Sequence, residues 1–284
     1  MEIPFNADGD CVPVRRSALV IGHPGHELKV FGWMVAQKPL VSVLTDGSGR
    51  SGVSRLPSSQ RLLRSVGATE GLILGFFSDA EFYTAVLERR IGCFTEIADL
   101  LARSFMEHEI GLVAGDAAEG YNPAHDLCRA IIDAAVTIVQ GCTARIVKNY
   151  AFVLAEERGE LPQAISGESL NLRLNDHVFQ EKLAASERYE EMRYEVQTGI
   201  AKNGKEFFRN ECLIPVTEPF ALWPPGYKPY YEIFGEQRMS AGAYTQVIRY
   251  REHVLPVVEA LRDHAIAFEK TNPMLVGRRP SSRM

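Results

Sequence analysis

The sequence predicts an α/β protein with a mostly parallel, Rossmann-like sheet flanked by helices and an elaborated C-terminal third. Short apolar runs alternate with amphipathic stretches over residues 17–140, which is the pattern of parallel strands joined by helical crossovers. The 284 residues are 46% hydrophobic and 24% charged, so an ordinary core can form without disulfides. We therefore expect one domain over 1–284, with its core in 17–140, an elaboration in 141–270 and a flexible tail in 271–284.

The predicted elements follow from the spacing of apolar residues and from the turn residues between them. Four buried strands are expected in the core, over 17–22, 40–44, 72–74 and 111–114. Helices are expected over 28–36, 58–66, 82–108 and 126–140, with Gly67 ending the second of them.

The sequence beyond residue 140 is less regular. One or two strands are expected in 145–155 and a charge-rich helix in 176–196. Turn residues and aromatics dominate 203–229, and a C-terminal helix over 244–268 contains Pro256, which would interrupt it. The aromatic stretch over 223–231 either lines a sugar-binding cleft or forms a core patch or subunit contact.

Charge and cysteine content exclude several function classes. The formal net charge of −5 argues against nucleic-acid binding, and no apolar run is long enough to span a membrane. Five scattered cysteines without a CxxC pair indicate reduced thiols, and residues 1–10 lack a secretory signal. We expect a cytoplasmic protein that acts on a small molecule and that forms either a monomer or a homo-oligomer.

Three histidines lie at positions where a metal site can form. His23 and His26 share a tight turn after the first strand, and His125 follows the fourth. Ligands of open α/β sheets bind beyond the carboxyl ends of the strands, so these imidazoles can meet there. Neutral imidazoles suit zinc, and three protein ligands leave one position open. We predict one zinc ion per chain. Spacing alone also allows the alternative that these histidines are structural. We interpret the other four histidines as structural: His108, His177, His253 and His264.

Four motifs, taken together, resemble the LmbE-like or PIG-L family of zinc-dependent de-N-acetylases. Residues 22–27, Gly-His-Pro-Gly-His-Glu, resemble the family's first motif, His-Pro-Asp-Asp-Glu. Residues 44–47 match its Thr-Asp-Gly, and Arg55 falls where a substrate-binding arginine is expected. Residues 123–126 stand where the family carries Pro-Asp-His. The order and spacing of the four motifs agree over residues 17–130.

The resemblance implies amide hydrolysis of an N-acyl amino sugar by a zinc-bound water. It makes His23 and His125 zinc ligands and places His26 on a liganding aspartate of the family. It also places Gly25 on the general-base aspartate and Asn122 on a histidine that protonates the leaving group. The metal ligands are thus preserved in altered form, whereas the usual groups for proton transfer are replaced.

Other side chains near the motifs are candidates for the missing chemistry. Glu27, next to a ligand, is our first choice for proton handling, and Asp46 or Asp126 would orient a ligand histidine. The alternative is that these carboxylates only cap helices or bind backbone amides.

Three further residues are predicted to contact the substrate: Arg55, Tyr121 and Asn122. The alternatives to a zinc hydrolase are a zinc lyase, isomerase or cyclase, and a non-catalytic metal-binding protein. Restoring aspartate at Gly25 is expected to discriminate among them, because it would return the family's general base.

Overall fold

A central sheet positions the functional residues. The structure is a computed structural model that describes residues 16–49, 51–154 and 169–271. Within this part of the chain, seven strands pair in the order β3-β2-β1-β4-β5-β7-β6. They are β1 (Arg16–Ile21), β2 (Leu40–Thr45), β3 (Thr69–Phe77), β4 (Ile110–Asp116), β5 (Lys148–Phe152), β6 (Leu170–Arg173) and β7 (Asn210–Pro215).

The first five strands are parallel, whereas β7 and β6 extend the sheet in antiparallel pairs. Strand order reverses between β1 and β4, because the chain runs outward from β1 to β3 and then returns to the other side of β1. In open α/β sheets the crevice at such a switch point is the usual ligand site. The predicted fold class is confirmed.

Helices cover both faces of the sheet. They are α1 (Phe31–Gln37), α2 (Leu56–Val66), α3 (Asp79–Leu87), α4 (Ile91–Glu107), α5 (Pro123–Thr143), α6 (Asp176–Arg188), α7 (Arg193–Asn203), α8 (Tyr230–Ser240) and α9 (Leu255–Thr271). Short 3₁₀ helices occur at His26–Val30, Glu190–Met192 and Lys205–Arg209, and a π-helical turn at Tyr250–Val254. Among the described helices, none is both long and apolar enough to cross a membrane.

Alternation along β1 shows how the two faces are filled. Ala18 and Val20 belong to a buried cluster that includes residues of α3, α4, α5 and α9. Leu19 and Ile21 point to the opposite face, into a second buried cluster with residues of α1, α2 and α6. Because side chains of a strand alternate, a strand covered on both faces is apolar throughout, as the sequence indicated.

The prediction of one helix over 82–108 was wrong. The chain forms α3 and α4 instead, and the turn between them contains Arg89 in the left-handed region at φ 52°. The break carries no glycine or proline, and apolar residues continue at helical spacing through both helices. Phe82 and Phe94, one from each helix, pack edge to face at 5.7 Å.

Several other boundaries differ from those predicted. The charge-rich helix over 176–196 is α6 followed by a 3₁₀ turn and α7, and the stretch 203–229 contains the unpredicted strand β7. Pro256 is the second residue of α9 and directly follows the π-helical turn Tyr250–Val254, so the predicted interruption takes the form of a change from π-helical to α-helical structure. The predicted single-domain division stays a prediction. Residues 1–10 and nearly all of the predicted tail over 271–284 lie outside the described residues.

A buried carboxylate fastens the C-terminal elaboration to the core. Glu211 on β7 accepts hydrogen bonds from the backbone N–H groups of Gly32 and Trp33, each at 2.9 Å, at the start of α1. Lys182 on α6 donates to the same carboxylate at 2.8 Å, and both side chains are buried. A Cβ at Gly32 would lie 2.1 Å from Leu174 Cδ2, so a larger residue there would displace the Leu174 side chain.

We predict that Glu211→Ala lowers the free energy of unfolding by about 3–5 kcal/mol, because it leaves the buried Lys182 ammonium without its partner. Denaturant unfolding measures the change. Glu206→Ala is the matched control, since Glu206 is 65% exposed in its pair with Arg209, and it is expected to change stability little. A loss below about 1 kcal/mol in Glu211→Ala would contradict the role assigned to this carboxylate.

Candidate functional site

The three predicted histidines lie together at the carboxyl edge of the sheet. His23 and His26 follow β1, and His125 is in the first turn of α5 rather than in the preceding loop. Their ring centroids are 5.3 Å apart for His23 and His26, 5.7 Å for His23 and His125, and 4.7 Å for His26 and His125. Residues about a hundred positions apart in the chain thus form one cluster.

A carboxylate at the end of β4 orients His26. Asp116 Oδ2 lies 2.8 Å from His26 Nδ1 and accepts a hydrogen bond from the Gly22 N–H at 2.8 Å. Burial by itself would raise the pKa of Asp116, but the neighbouring His26 charge and hydrogen bond outweigh it and lower the pKa. An ionised Asp116 therefore holds the proton of His26 on Nδ1, which leaves Nε2 available as a ligand.

His23 and His125 have comparable neighbours. His23 Nδ1 lies 2.7 Å from Thr45 Oγ1 at the end of β2 and 3.2 Å from Asp79 Oδ1, which follows β3. Burial acts to raise the pKa of Asp79, but its contacts with His23 lower it well below the usual range. His125 Nδ1 lies 3.5 Å from Glu119 Oε1. Each ring therefore has a carboxylate near Nδ1.

The residue types in this cluster fit a metal ion. His23 Nε2 is buried and has no hydrogen-bond partner among the described residues, which is compatible with a nitrogen that binds a ligand. Three imidazoles on one tetrahedral zinc would have ring centroids about 5 Å apart, close to the separations observed. In the described parts of the chain, however, no group of three His, Cys, Asp or Glu side chains has its donor atoms in a metal-holding arrangement. The side chains are gathered and oriented, but they do not form a closed coordination shell.

The three carboxylates predicted for catalysis or ligand orientation support the loops instead of contacting the histidine rings. Glu27 is fully buried; its Oε2 accepts from the Gly25 N–H at 2.6 Å, and burial raises its pKa. Asp46 Oδ1 accepts from the N–H groups of Ser48 at 2.9 Å and Asp79 at 3.1 Å.

Asp126 is buried beneath the loop that precedes α5. Its Oδ1 accepts from the N–H groups of Glu119 at 2.9 Å and Gly120 at 3.0 Å, and its Oδ2 from Trp223 Nε1 at 3.3 Å. Burial raises the pKa of Asp126 to about 6. This carboxylate therefore positions the segment that carries Glu119, which in turn lies beside His125.

The residues predicted to contact substrate all line one cleft beside the histidines, with a volume of about 690 Å³. Arg55 Nη1 lies 3.3 Å from Met192 Sδ. Tyr121 is stacked on Tyr230 with ring centroids 5.2 Å apart. Asn122 caps α5 by accepting from the Ala124 N–H at 2.8 Å, so its oxygen is already engaged.

Sequence reasoning missed Asp79, Tyr83, Asp116 and Glu119. Tyr83 lines the cleft, its hydroxyl lies 3.3 Å from Asn122 Nδ2, and burial raises its pKa to about 12. A signal was present for the two aspartates: each lies at or just after the carboxyl end of a predicted parallel strand, the edge where ligands bind. No comparable pattern marks Tyr83, which reaches the cleft from α3.

Gly25 has a structural reason to be glycine. Its φ is 110°, a conformation that side chains disfavour, and a Cβ there would lie 2.8 Å from Met192 Sδ. Aspartate at this position would therefore strain the turn and displace Met192. Gly25→Asp therefore does not by itself discriminate a hydrolase from the alternative functions, because the substitution changes the shape of the cleft along with its chemistry.

Comparisons with known proteins were made for the sequence and for the fold. No protein-family model matches the sequence, and no curated protein matches it. Three solved structures share similarity with 71% of this chain. A triple mutant of a deacetylase of teicoplanin biosynthesis is 18% identical, with 97% of that chain covered and a TM-score of 0.49.

The zinc-inhibited form of teicoplanin deacetylase Orf2 is 14% identical, with 97% of that chain covered and a TM-score of 0.48. A deacetylase–teicoplanin complex is 16% identical, with 98% covered and a TM-score of 0.46. At these values the activity of this chain has to be argued from its own residues.

We predict that Asp126→Ala lowers the free energy of unfolding by about 2–4 kcal/mol, because each buried N–H left unpaired costs about 1–3 kcal/mol. Thermal or denaturant unfolding provides the measurement. Asp263→Ala serves as control, since Asp263 is 71% exposed and pairs only locally with Arg262, and it should leave stability unchanged. Equal stability of both variants would show that the loop at Glu119 does not depend on Asp126.

Proposed function

We propose that this protein is a zinc-dependent hydrolase that cleaves the amide of an acylated amino sugar or a similar small polar substrate. The observation that carries the proposal is the convergence of three imidazoles in one cleft, two of them from a first motif that resembles the de-N-acetylase family. A structural histidine cluster would need neither a cleft of this size nor a buried nitrogen without a partner.

His23, His26 and His125 would hold the ion, with one zinc per chain. When bound, zinc supplies a Lewis acid that polarises the acyl carbonyl and activates water near neutral pH. The ionised carboxylates of Asp116 and Asp79 fix the tautomer and the orientation of their histidines. Partners of this kind commonly change metal affinity by about 10–100-fold.

Amide hydrolysis breaks the C–N bond, places a hydroxyl group on the acyl carbon and transfers a proton to the departing amine. Asp79 and Tyr83 both line the cleft beside the histidines. Since the pKa of Asp79 is lowered, its carboxylate is an acceptor; since that of Tyr83 is raised to about 12, its hydroxyl is a donor. We assign substrate hydrogen bonding to Tyr83, and to Glu27 the positioning of the turn that carries His26.

Arg55 and Tyr121 are proposed to contact the polar part of the substrate, and Asn122 to position Tyr83. An arginine side chain beside the histidines suits a hydroxyl or an anionic group, and the exposed ring of Tyr121 offers a face for a sugar.

A second candidate is a zinc lyase, isomerase or cyclase. It is favoured by position 25, where glycine provides no general base, and by the location of Glu27 beneath the turn. Such an enzyme would bind zinc through the same histidines but would release no amine from an N-acyl amino sugar.

We expect the purified protein to contain about one zinc per chain and to release free amine from an N-acyl amino sugar. His23→Ala, His26→Ala and His125→Ala should each lose the zinc and lower the rate of amine release at least about 100-fold, because the Lewis acid contributes several kcal/mol. Elemental analysis and amine detection on the same preparations measure both effects.

His264→Ala is the matched control, because His264 pairs with Asp99 away from the cleft, and it should keep both zinc and activity. Zinc content unchanged in all three alanine variants of the cluster would contradict the metal site. If the three variants lose zinc but the unaltered protein releases no amine from any N-acyl sugar, the zinc site is supported and the hydrolase function is refuted.

A further inference from the structure

The cleft continues well past the histidine cluster, into a part whose wall comes from the C-terminal elaboration. Its far wall includes Leu183 on α6, Val196 and Ile200 on α7, and Phe207 and Phe208 in the 3₁₀ helix Lys205–Arg209. Thr198, Lys202 and Asn203 also line it. A cavity of about 690 Å³ lies within the range that encloses a drug-sized ligand, roughly 300–1,000 Å³.

Helix α7 presents its apolar stripe to this cleft instead of to a core. Within α7 and the turn before it, Met192, Val196, Gly199 and Ile200 are half-buried and lie at helical spacing, and all four line the cleft. No residue of α7 is buried, and Tyr194 on the opposite face is 78% exposed. A stripe of this spacing ordinarily packs against a core, whereas among the described residues this one faces the cleft.

An aromatic side chain packs against α7 in this part of the cleft. A Cβ at Gly199 would lie 2.9 Å from Phe208 Cζ, so glycine allows this ring to approach the helix closely. The 3₁₀ helix therefore packs directly on α7, and Phe208 lies on the cleft side of that contact. Phe208 therefore adds an aromatic surface to this part of the cleft.

Polar residues line both parts of the cleft, including Lys182, Glu195 and Lys202 of the C-terminal elaboration, but most of its aliphatic and phenylalanine side chains come from that elaboration. Asp79, Tyr83 and Asn122 all reach the cleft from the carboxyl edge of the parallel strands. The apolar wall comes from α6, α7 and the following 3₁₀ helix. An amide that lies across the histidines would place its hydroxyl-bearing amine part among the polar groups and its acyl part along the apolar wall, since each part then meets its own kind of partner.

We propose that the far end of the cleft is an acyl-chain subsite and that the physiological substrate carries an N-acyl group longer than acetyl. This inference rests on the proposed function, because it names the substrate class of the same site. Met192 joins the two parts of the cleft, since its Sδ lies 3.3 Å from Arg55 Nη1 and beside Gly25.

The test compares N-octanoylglucosamine with N-acetylglucosamine on the zinc-loaded protein. Each methylene removed from water favours binding roughly fourfold, so kcat/KM for the octanoyl substrate should be at least about tenfold higher. Ile200→Ser should lower the octanoyl-to-acetyl ratio at least about threefold, because it makes the wall polar. Tyr194→Ser, on the exposed face of the same helix, should leave the ratio unchanged.

Equal kcat/KM values for the two substrates would overturn the subsite. If kcat/KM is higher for the octyl glycoside of N-acetylglucosamine than for N-acetylglucosamine, but not for N-octanoylglucosamine, the placement of the acyl group in this subsite is overturned.

If neither amide is hydrolysed, the proposed function fails, and the subsite is tested by calorimetry with octanoate and acetate. Both carboxylates can reach the metal. Octanoate that binds at least about tenfold more tightly than acetate would support an apolar subsite, provided that Ile200→Ser removes this difference. Equal affinities for octanoate and acetate would overturn it.

Discussion

The geometry of the site depends on the contacts that the carboxylate of Asp116 makes with Gly22 and His26. Its Oδ2 accepts from the Gly22 N–H and lies against His26 Nδ1, so it joins the end of β4 to the turn after β1 across the switch point of the sheet. Both contacts favour the ionised form of this fully buried carboxylate, and they lower its pKa although burial acts to raise it. The parallel sheet brings the two strand ends together, and Asp116 fixes how the histidine turn faces the cleft.

The C-terminal elaboration gives the cleft its size and much of its wall. Glu211 and Lys182 attach β7 and α6 to the start of α1, the helix that follows the histidine turn. The same α6 and the α7 that follows it then form one side of the cleft. In the proposed function, the core sheet would supply the groups for chemistry at the amide, and the added segments would determine which substituents the amide can carry. Enzymes that share a sheet of this kind can differ in substrate through such segments alone.

Much of the core and of the histidine cluster was predictable, since β1, β2 and β4 are short apolar runs and each leads into a loop that carries polar residues. The partners of the histidines were not predicted, because Asp79 and Asp116 reach them only after three separate strands are aligned. Asp46 and Asp126 were expected to orient ligand histidines because they lie in the family-like motifs, but their oxygens accept from backbone amides, which was the alternative interpretation. Strand β7 was missed because its apolar positions are few and it pairs at the antiparallel end of the sheet.

X-ray absorption at the zinc edge of the zinc-loaded protein tests the central claim most directly, because it reports the atoms around the ion. Three imidazole nitrogens at about 2.0–2.1 Å from the ion are predicted for the unaltered protein, and His26→Ala, treated in the same way, is predicted to retain no zinc. A shell containing sulfur, or one made of oxygen alone with no imidazole scattering, would contradict the account.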